Sequence, residues 1–308
     1  MTDDALFDAD GVASLIHSES VLDGVFDCLG RIWRPASATR ERELGDSEYR
    51  TRQLEHLLAD QGVDLYDTLE AAAGDHPIGS LDHGCGVVMD GLSLREGFAL
   101  ERDLRADHDW TVSLDWAGVE RLPSETKFVC RAWFDARSPS AVSRDDFRYV
   151  GDTDVPQLPG TDPAFVWTRH PDRRLEASTK GNYSVERFAD IYADTKGLLE
   201  RVVTESVHEE FLVSSDHGYV NFVGRNPFRL SDDDETALAD AVGGRYTDVE
   251  AGYAYDRLRE ANVIRRTGGR YVVTGHYRPT TRGASKRVAH GGLSIPEALT
   301  PVLRIDTR

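Results

Sequence analysis

Short apolar runs alternate with helical stretches through most of this chain, and that alternation constrains the fold more than any other feature. The apolar runs, each short enough for one strand, are residues 86–89, 111–114, 164–168 and 211–213. The stretches of helical spacing between them are residues 94–104, 127–136 and 185–204. This pattern predicts an α/β fold with a doubly wound, mainly parallel sheet. Right-handed crossovers then place the carboxyl ends of the parallel strands at one edge, where ligands bind.

Two further regions have patterns of their own. Residues 1–78 carry apolar side chains at helical spacing and end at the Asp75-His76-Pro77 break, which predicts an N-terminal helical region. The α/β domain then covers residues 79–308. Within it, residues 231–275 predict two helices and a basic hairpin, a small α+β insertion that is either a cap or a winged-helix-like unit. The N-terminal helices either dock a partner protein or pack on the core.

The chain is strongly acidic. Its 36 Lys and Arg residues against 54 Asp and Glu residues give a net charge of −18. That charge excludes a non-specific nucleic-acid coat or a binder of anionic membranes, although it leaves room for a local basic groove. Lysine is rare, occurring at Lys127, Lys180, Lys196 and Lys286. An acidic, lysine-poor surface indicates a halophilic, archaeal source. The salt in the cytoplasm of such a cell screens the repulsion between the acidic side chains. The alternative is GC-rich codon bias, which also favours arginine.

Cysteine content and hydropathy indicate a cytoplasmic protein. Cys28, Cys85 and Cys130 are too scattered for a disulfide framework or a CxxC zinc site, which is typical of a reducing compartment. The acidic start of the chain does not match a secretory signal. Since no apolar run approaches the roughly 20 residues that span a bilayer, we expect no membrane association.

Polar clusters follow the predicted strands, where side chains from different strands meet. The clusters are Asp90, Ser124-Glu125-Thr126, His170-Pro171-Asp172, Asp216-His217 and His290-Gly291-Gly292. Carboxylates and imidazoles are ligands for Zn²⁺ or Mn²⁺, so together these clusters predict a site for two divalent metal ions. Taken one at a time, each cluster is better explained by a helix cap, a turn or a loop than by a metal site.

Four segments together resemble the PglZ-domain branch of the alkaline phosphatase superfamily. They are residues 87–93 (VVMDGLS), 122–126 (LPSET), 215–219 (SDHGY) and 290–297 (HGGLSIPE). The resemblance covers residues 80–308 and leaves the N-terminal helices unassigned. It implies a metal-dependent phosphodiesterase or phosphatase with an alkaline-phosphatase-type fold. Several PglZ-like proteins belong to phage-defence or signalling systems.

The resemblance also implies a role for each site residue. Asp90, Asp216 and His217 hold one metal ion, and Thr126 is the nucleophile. Asp172 and His290 hold the second ion. The superfamily commonly has a histidine four residues after the Asp172 position, where this chain has Glu176. A carboxylate there still ligates but changes the charge and metal preference of the site, or marks a degenerate site.

Neighbouring side chains allow more than one interpretation. Lys127 follows Thr126 and either neutralises a substrate phosphate or is a solvated lysine at a helix start. Ser93 lies three residues after Asp90, within a first helical turn, and we expect it to cap that helix rather than bind metal. His170 is a nearby substitute ligand for the second ion.

The sequence therefore predicts a hydrolase that acts on a phosphoester, and the acidic surface favours a small nucleotide over long duplex DNA. The alternative is a non-catalytic PglZ-like scaffold or binding protein within a multi-protein defence complex, and Glu176 favours it. A sulfatase is not supported because no cysteine occupies the nucleophile position. A phosphomutase is not supported because the chain is short for that class.

Overall fold

The structure is a computed structural model that describes residues 15, 20–36, 41–61, 64–151, 153–179, 188–249, 254–279 and 287–308. Some features of the sequence lie outside the described residues: the first part of the N-terminal helical region, Lys180, the start of the helix predicted over 185–204, the start of the second insertion helix, and Lys286.

A six-stranded sheet forms the centre of the molecule. Its strands are β1 (Cys85–Met89), β2 (Thr111–Gly118), β3 (Phe147–Val150), β4 (Ala164–Thr168), β5 (Glu210–Ser214) and β11 (Leu299–Asp306). The spatial order is β2-β11-β5-β1-β4-β3. β1 pairs in parallel with β4 and β5, and β4 with β3, whereas β11 runs antiparallel to β5 and β2. The predicted mainly parallel sheet is confirmed.

Helices cover both faces of this sheet. The helices on these faces are α4 (Leu94–Asp107), α5 (Thr126–Phe134) and α7 (Phe188–Glu205). The domain also contains α6 (Asp172–Thr179) after β4 and the short α10 (Ile295–Ala298) before β11. Alternate residues of β1 show the two layers, because Val87 packs with α4 and α7 whereas Val88 packs with α5. Such burial on both faces explains why the parallel strands are continuous apolar runs rather than alternating ones.

The N-terminal region forms α1 (Val21–Trp33), α2 (Glu41–Asp60) and α3 (Leu65–Ala71). Leu29, Leu54 and Leu69 are buried in one apolar cluster with Phe98 of α4 and Leu299 of β11. Packing on the core was one of the two roles predicted for these helices, and their apolar faces do pack on it. A 3₁₀ turn at Pro77–Ser80 leads from them into β1.

The segment 231–275 contains α8 (Asp232–Ala241), β7 (Tyr246–Asp248), α9 (Ala254–Glu260), β8 (Ile264–Thr267) and β9 (Arg270–Val273). Its three strands lie in the order β7-β9-β8, around a small apolar cluster that includes Leu238 and Leu258. The sequence did not predict β7, because a strand of three residues is too short to show an alternating or apolar pattern. Whether the segment acts as a cap or as a winged-helix-like unit stays a prediction.

A two-stranded ribbon completes the described secondary structure. β6 (Val220–Asn221) pairs antiparallel with β10 (Val288–Ala289), which brings the loop after β5 next to the chain before His290. No helix in the described ranges is both long and apolar enough to cross a bilayer.

Candidate metal centre

The loop after β1 places Asp90 at the carboxyl edge of the sheet, as predicted. Asp90 is nearly buried, and its carbonyl accepts a hydrogen bond from the Asp172 N–H at 2.9 Å. Gly91 follows with φ +75°, and a Cβ there would lie 3.0 Å from the Asp172 Cβ. A glycine is therefore required for α6 to approach β1 this closely.

The loop after β5 carries Asp216 and His217, both fully buried. Ser215 fastens this loop to the first one, because its hydroxyl accepts from the Leu92 N–H at 2.9 Å and lies 2.8 Å from the Met89 carbonyl. The turn ends at Gly218, where a Cβ would lie only 1.9 Å from the Pro296 carbonyl oxygen. The backbone packing thus fixes where both side chains point.

The His217 ring has one arrangement of its protons that fits its contacts. Its Nδ1 lies 3.0 Å from the Gly218 carbonyl and must donate to it, so Nε2 carries a lone pair. This Nε2 atom lies 3.5 Å from Asp90 Oδ1 and 3.6 Å from Asp216 Oδ2. Three acceptors thus face one another, and Asp216 Oδ2 has no hydrogen-bond partner among the described residues. This donor set fits a bound divalent cation.

Electrostatics agree with that interpretation. Burial lowers the pKa of His217 to about 3, so the ring stays neutral and able to ligate. Burial, reinforced by the carboxylates of Asp216 and Asp172, raises the pKa of Asp90. Burial also raises the pKa of Asp216. Two carboxylates that repel each other in a dry pocket are stabilised in their charged form by a cation between them.

Thr126 lies at the edge of this cluster. It is the first residue of α5, and Glu125, not Thr126, is the N-cap. Its hydroxyl donates to Asp90 Oδ1 at 3.2 Å and lies 3.4 Å from His217 Nε2. The side chain is half-buried, and the positive end of the helix dipole adjoins it. An oxyanion placed here would meet both the hydroxyl and the helix N-terminus.

A second cluster lies beside the first and contains Asp172, Glu176 and His290, whose ligand atoms all lie within 4.8 Å of one another. His290 Nε2 is 3.9 Å from Asp172 Oδ1, and its Nδ1 is 3.4 Å from Glu125 Oε1. Burial opposes a charge on His290, but the carboxylates of Asp172, Glu125 and others outweigh it and raise the pKa. A cluster with two carboxylates and one imidazole also fits a divalent cation.

The two clusters touch through their imidazoles. The rings of His217 and His290 stack with centroids 4.1 Å apart and an interplanar angle of 10°. All six residues predicted as metal ligands therefore lie together, in two groups of three. Glu176 is the most open of its group, with 41% of its side chain exposed, and it lies 3.9 Å from Arg169 Nη2.

Other predicted side chains have different contacts. Lys127 is exposed and donates to the Tyr246 hydroxyl at 2.7 Å, so the amine is held against the 231–275 segment. Ser93 caps α4, as expected, since its N–H donates to Glu96 Oε2 at 3.2 Å in a capping box. His170 is buried but belongs to neither cluster.

Sequence reasoning placed Glu125 in a polar cluster without giving it a role, and it overlooked Arg169. Glu125 directly precedes Thr126, and that adjacency was the signal that could have marked it as a neighbour of His290. Arg169 follows the last residue of β4 at the same sheet edge, where its charge stabilises the ionised form of Asp90. The strand-end rule that selected Asp90 applies equally to Arg169.

No protein-family model matches the chain, and no curated protein matches it. Similar solved structures include murine ectonucleotide pyrophosphatase/phosphodiesterase 5, at 9% identity and a TM-score of 0.39, and its inactive variant in complex with AMP, at 9% identity and 0.40. Each match covers 73% of this chain and 88% of the other. A likeness this distant determines neither family nor activity.

Proposed function

We propose that this protein is a metal-dependent phosphoester hydrolase, and that it is a phosphodiesterase acting on a nucleotide through Thr126. One observation carries the proposal. The His217 lone pair and the carboxylate oxygens of Asp90 and Asp216 face one another, and the Thr126 hydroxyl lies at their edge. A hydroxyl in such a position is the usual arrangement for a nucleophile activated by a metal ion.

The chain's own residues account for the main steps. Asp90 accepts the hydrogen bond of the Thr126 hydroxyl and so orients this hydroxyl. The N-terminus of α5 and the exposed guanidinium of Arg169 supply positive potential for a phosphate. Thr126 Oγ1 then attacks phosphorus as its proton passes to Asp90, and the P–O bond to the leaving alcohol breaks, the alcohol taking up a proton from solvent. Water later attacks the phospho-threonine, breaks its bond to Oγ1 and releases a phosphomonoester, which restores the Thr126 hydroxyl.

Divalent ions held by the two clusters would supply Lewis acidity, lowering the pKa of the attacking hydroxyl and neutralising charge in the transition state. The ligand sets, Asp90–Asp216–His217 and Asp172–Glu176–His290, would take Zn²⁺ or Mn²⁺. Both sets have two carboxylates and one imidazole, but the second is more open, which leaves room for water ligands, so we expect it to favour Mn²⁺.

A second candidate function is a non-catalytic scaffold. Glu176 favours it, since the side chain is 41% exposed and an arginine lies next to it, which leaves the second cluster less enclosed than the first. A scaffold of this kind would keep the fold and bind a partner protein, but would not turn over phosphoesters.

Hydrolysis of bis-p-nitrophenyl phosphate in high KCl, with Mn²⁺ or Zn²⁺ added, separates the two candidates. The hydrolase predicts metal-dependent turnover that falls to background in Thr126→Ala and persists in Thr204→Ala, a matched change on the exposed side of α7. Folded, metal-loaded wild type without turnover would refute the hydrolase and favour the scaffold. Turnover that survives Thr126→Ala would refute the threonine nucleophile alone.

A further inference from the structure

A buried ion pair lies behind the loop that carries His290. Glu297 of α10 is fully buried, and Arg245, which comes from the 231–275 segment, is 2% exposed. Arg245 Nε donates to Glu297 Oε1 at 2.9 Å, and Nη2 donates to Oε2 at 2.5 Å. Such a bidentate pair fixes both orientation and distance.

The Glu297 carboxylate also accepts hydrogen bonds from the loop that carries His290. Its Oε1 also accepts from the Gly292 N–H at 2.9 Å, and its Oε2 accepts from the Ser294 hydroxyl at 2.7 Å. Gly292 is two residues from His290, so this carboxylate holds the backbone that carries the imidazole.

Arg245 in turn is fixed by backbone carbonyls of the chain that follows β9. Its Nη1 donates to the Tyr277 carbonyl and its Nη2 to the Gly275 carbonyl, both at 2.6 Å. A Cβ on Gly292 would lie 2.5 Å from the Arg245 Nη2, so the guanidinium packs directly against the loop backbone. The guanidinium is thus held by a carboxylate, by two backbone carbonyls and by packing against the loop.

The other side of the same loop is also confined. Gly291 has φ +96°, and a Cβ there would lie 2.8 Å from Glu125 Oε1 and 3.0 Å from the Tyr246 ring. Leu293 exchanges backbone hydrogen bonds with the chain at the end of β9, donating to Val273 and accepting from Gly275, both at 2.9 Å. Residues of the 231–275 segment therefore contact the loop from both sides.

We propose that Arg245 and Glu297 are positioning residues, and that their ion pair sets the place of the His290 imidazole in the second metal cluster. The 231–275 segment is then a structural part of the site rather than a separate binding arm. The effect on metal binding rests on the proposed function. The effect on the loop does not.

The test compares Glu297→Gln with Glu101→Gln in the full chain. Glu101 is a suitable control because it is also a buried glutamate with arginine partners, Arg34 and Arg105, on a helix that holds no predicted ligand. In Glu297→Gln, one carboxylate oxygen becomes an N–H donor that faces other donors, so the loop loses a hydrogen-bond acceptor. Arg245→Lys is the second variant, since lysine keeps the charge but loses the planar fork.

Two readouts are taken. Hydrogen exchange of residues 288–294 in metal-free protein reports loop order, and Mn²⁺ binding followed by electron paramagnetic resonance reports the site. We expect Glu297→Gln to speed exchange of these amides at least tenfold and to weaken Mn²⁺ binding about 10- to 100-fold. Glu101→Gln should do neither, even where it lowers the melting temperature.

Each outcome decides the proposal. Exchange that is no faster than in the Glu101→Gln control overturns it, as does faster exchange with unchanged Mn²⁺ affinity. If Glu297→Gln does not fold, Arg245→Lys is judged by the same criteria. If wild type binds no Mn²⁺, the proposed function fails, and exchange alone decides whether the ion pair positions the loop.

Discussion

The imidazole rings of His217 and His290 lie face to face, with their centroids 4.1 Å apart. One ring belongs to the loop after β5 and the other to the loop before α10. The two clusters therefore contact each other through one ligand residue of each. A change in one ring removes packing from the other as well as a ligand atom.

We therefore expect the two clusters to be coupled in metal binding. His290→Ala should abolish metal binding at the second cluster. It should also weaken metal binding at the first cluster by about tenfold, because the His217 ring loses the stacked ring that keeps it in its orientation. Equilibrium dialysis with Mn²⁺ and Zn²⁺ measures both sites. His83→Ala, an exposed histidine, is the control. Unchanged affinity at the first cluster would show that the sites are independent.

Glu176 should set metal preference at the second cluster. Glu176→His replaces a carboxylate with an imidazole, which favours Zn²⁺ over Mn²⁺. Because the side chain is 41% exposed, we expect the change to leave stability within about 0.5 kcal/mol of wild type. Competition between Zn²⁺ and Mn²⁺ should shift towards Zn²⁺ by tenfold or more. The same change in Glu209→His, at the protein surface, should shift nothing.

Gly218→Ala should be severely destabilising, since the added methyl group would lie 1.9 Å from the Pro296 carbonyl oxygen. We expect a loss of at least about 3 kcal/mol in the free energy of unfolding, measured by chemical denaturation. Gly197→Ala is the matched change, because nothing lies within 4 Å of the new Cβ and the residue is inside α7. That variant should instead gain about 0.5–1 kcal/mol. Equal effects would contradict the contact.

His76 should make stability depend on pH. Burial lowers the pKa of His76 to about 3, and the ring contacts Ser214 and Thr300 rather than any acidic group. Between pH 6.5 and 3 the unfolded chain binds a proton here that the folded chain does not, so stability falls as pH falls, by about 1.4 kcal/mol per pH unit.

The measurement compares wild type with His76→Gln. The variant loses hydrogen bonds and should be less stable at pH 7, but its disadvantage should shrink steadily as the pH is lowered from 6.5 to 5. Denaturant titrations at each pH give the difference. A constant difference over that range would mean that the folded chain binds a proton at His76 as readily as the unfolded chain does.

The sequence predicted the inner parallel strands well, because β1 and β4 are apolar runs that end in charged residues. It did not predict β3, a four-residue edge strand in which Arg148 alternates with apolar side chains. It also did not predict β11, whose Pro301 argues against a central strand. The structure explains the exception, since β11 pairs with β5 only from Leu303 onward, beyond the proline.

The same contrast holds for the site. Asp90 and Asp216 follow strands, so the position of a strand end was enough to bring them together. The role of Arg245 had no local signal, because its partner Glu297 is far along the chain and only tertiary packing joins them. Residues that act on the metal centre through other residues are the ones that a single sequence conceals.

The position of β11 has a consequence for how the molecule forms. This strand lies between β2 and β5, so in the described part of the chain β2 joins the rest of the sheet only through β11, near residue 300. Pairing over so long a separation gives a high contact order and slow folding. Until that segment is inserted, β5, which leads to Asp216 and His217, is a sheet edge without its neighbour. We therefore expect the candidate metal centre to form late in folding, after this segment has joined the sheet.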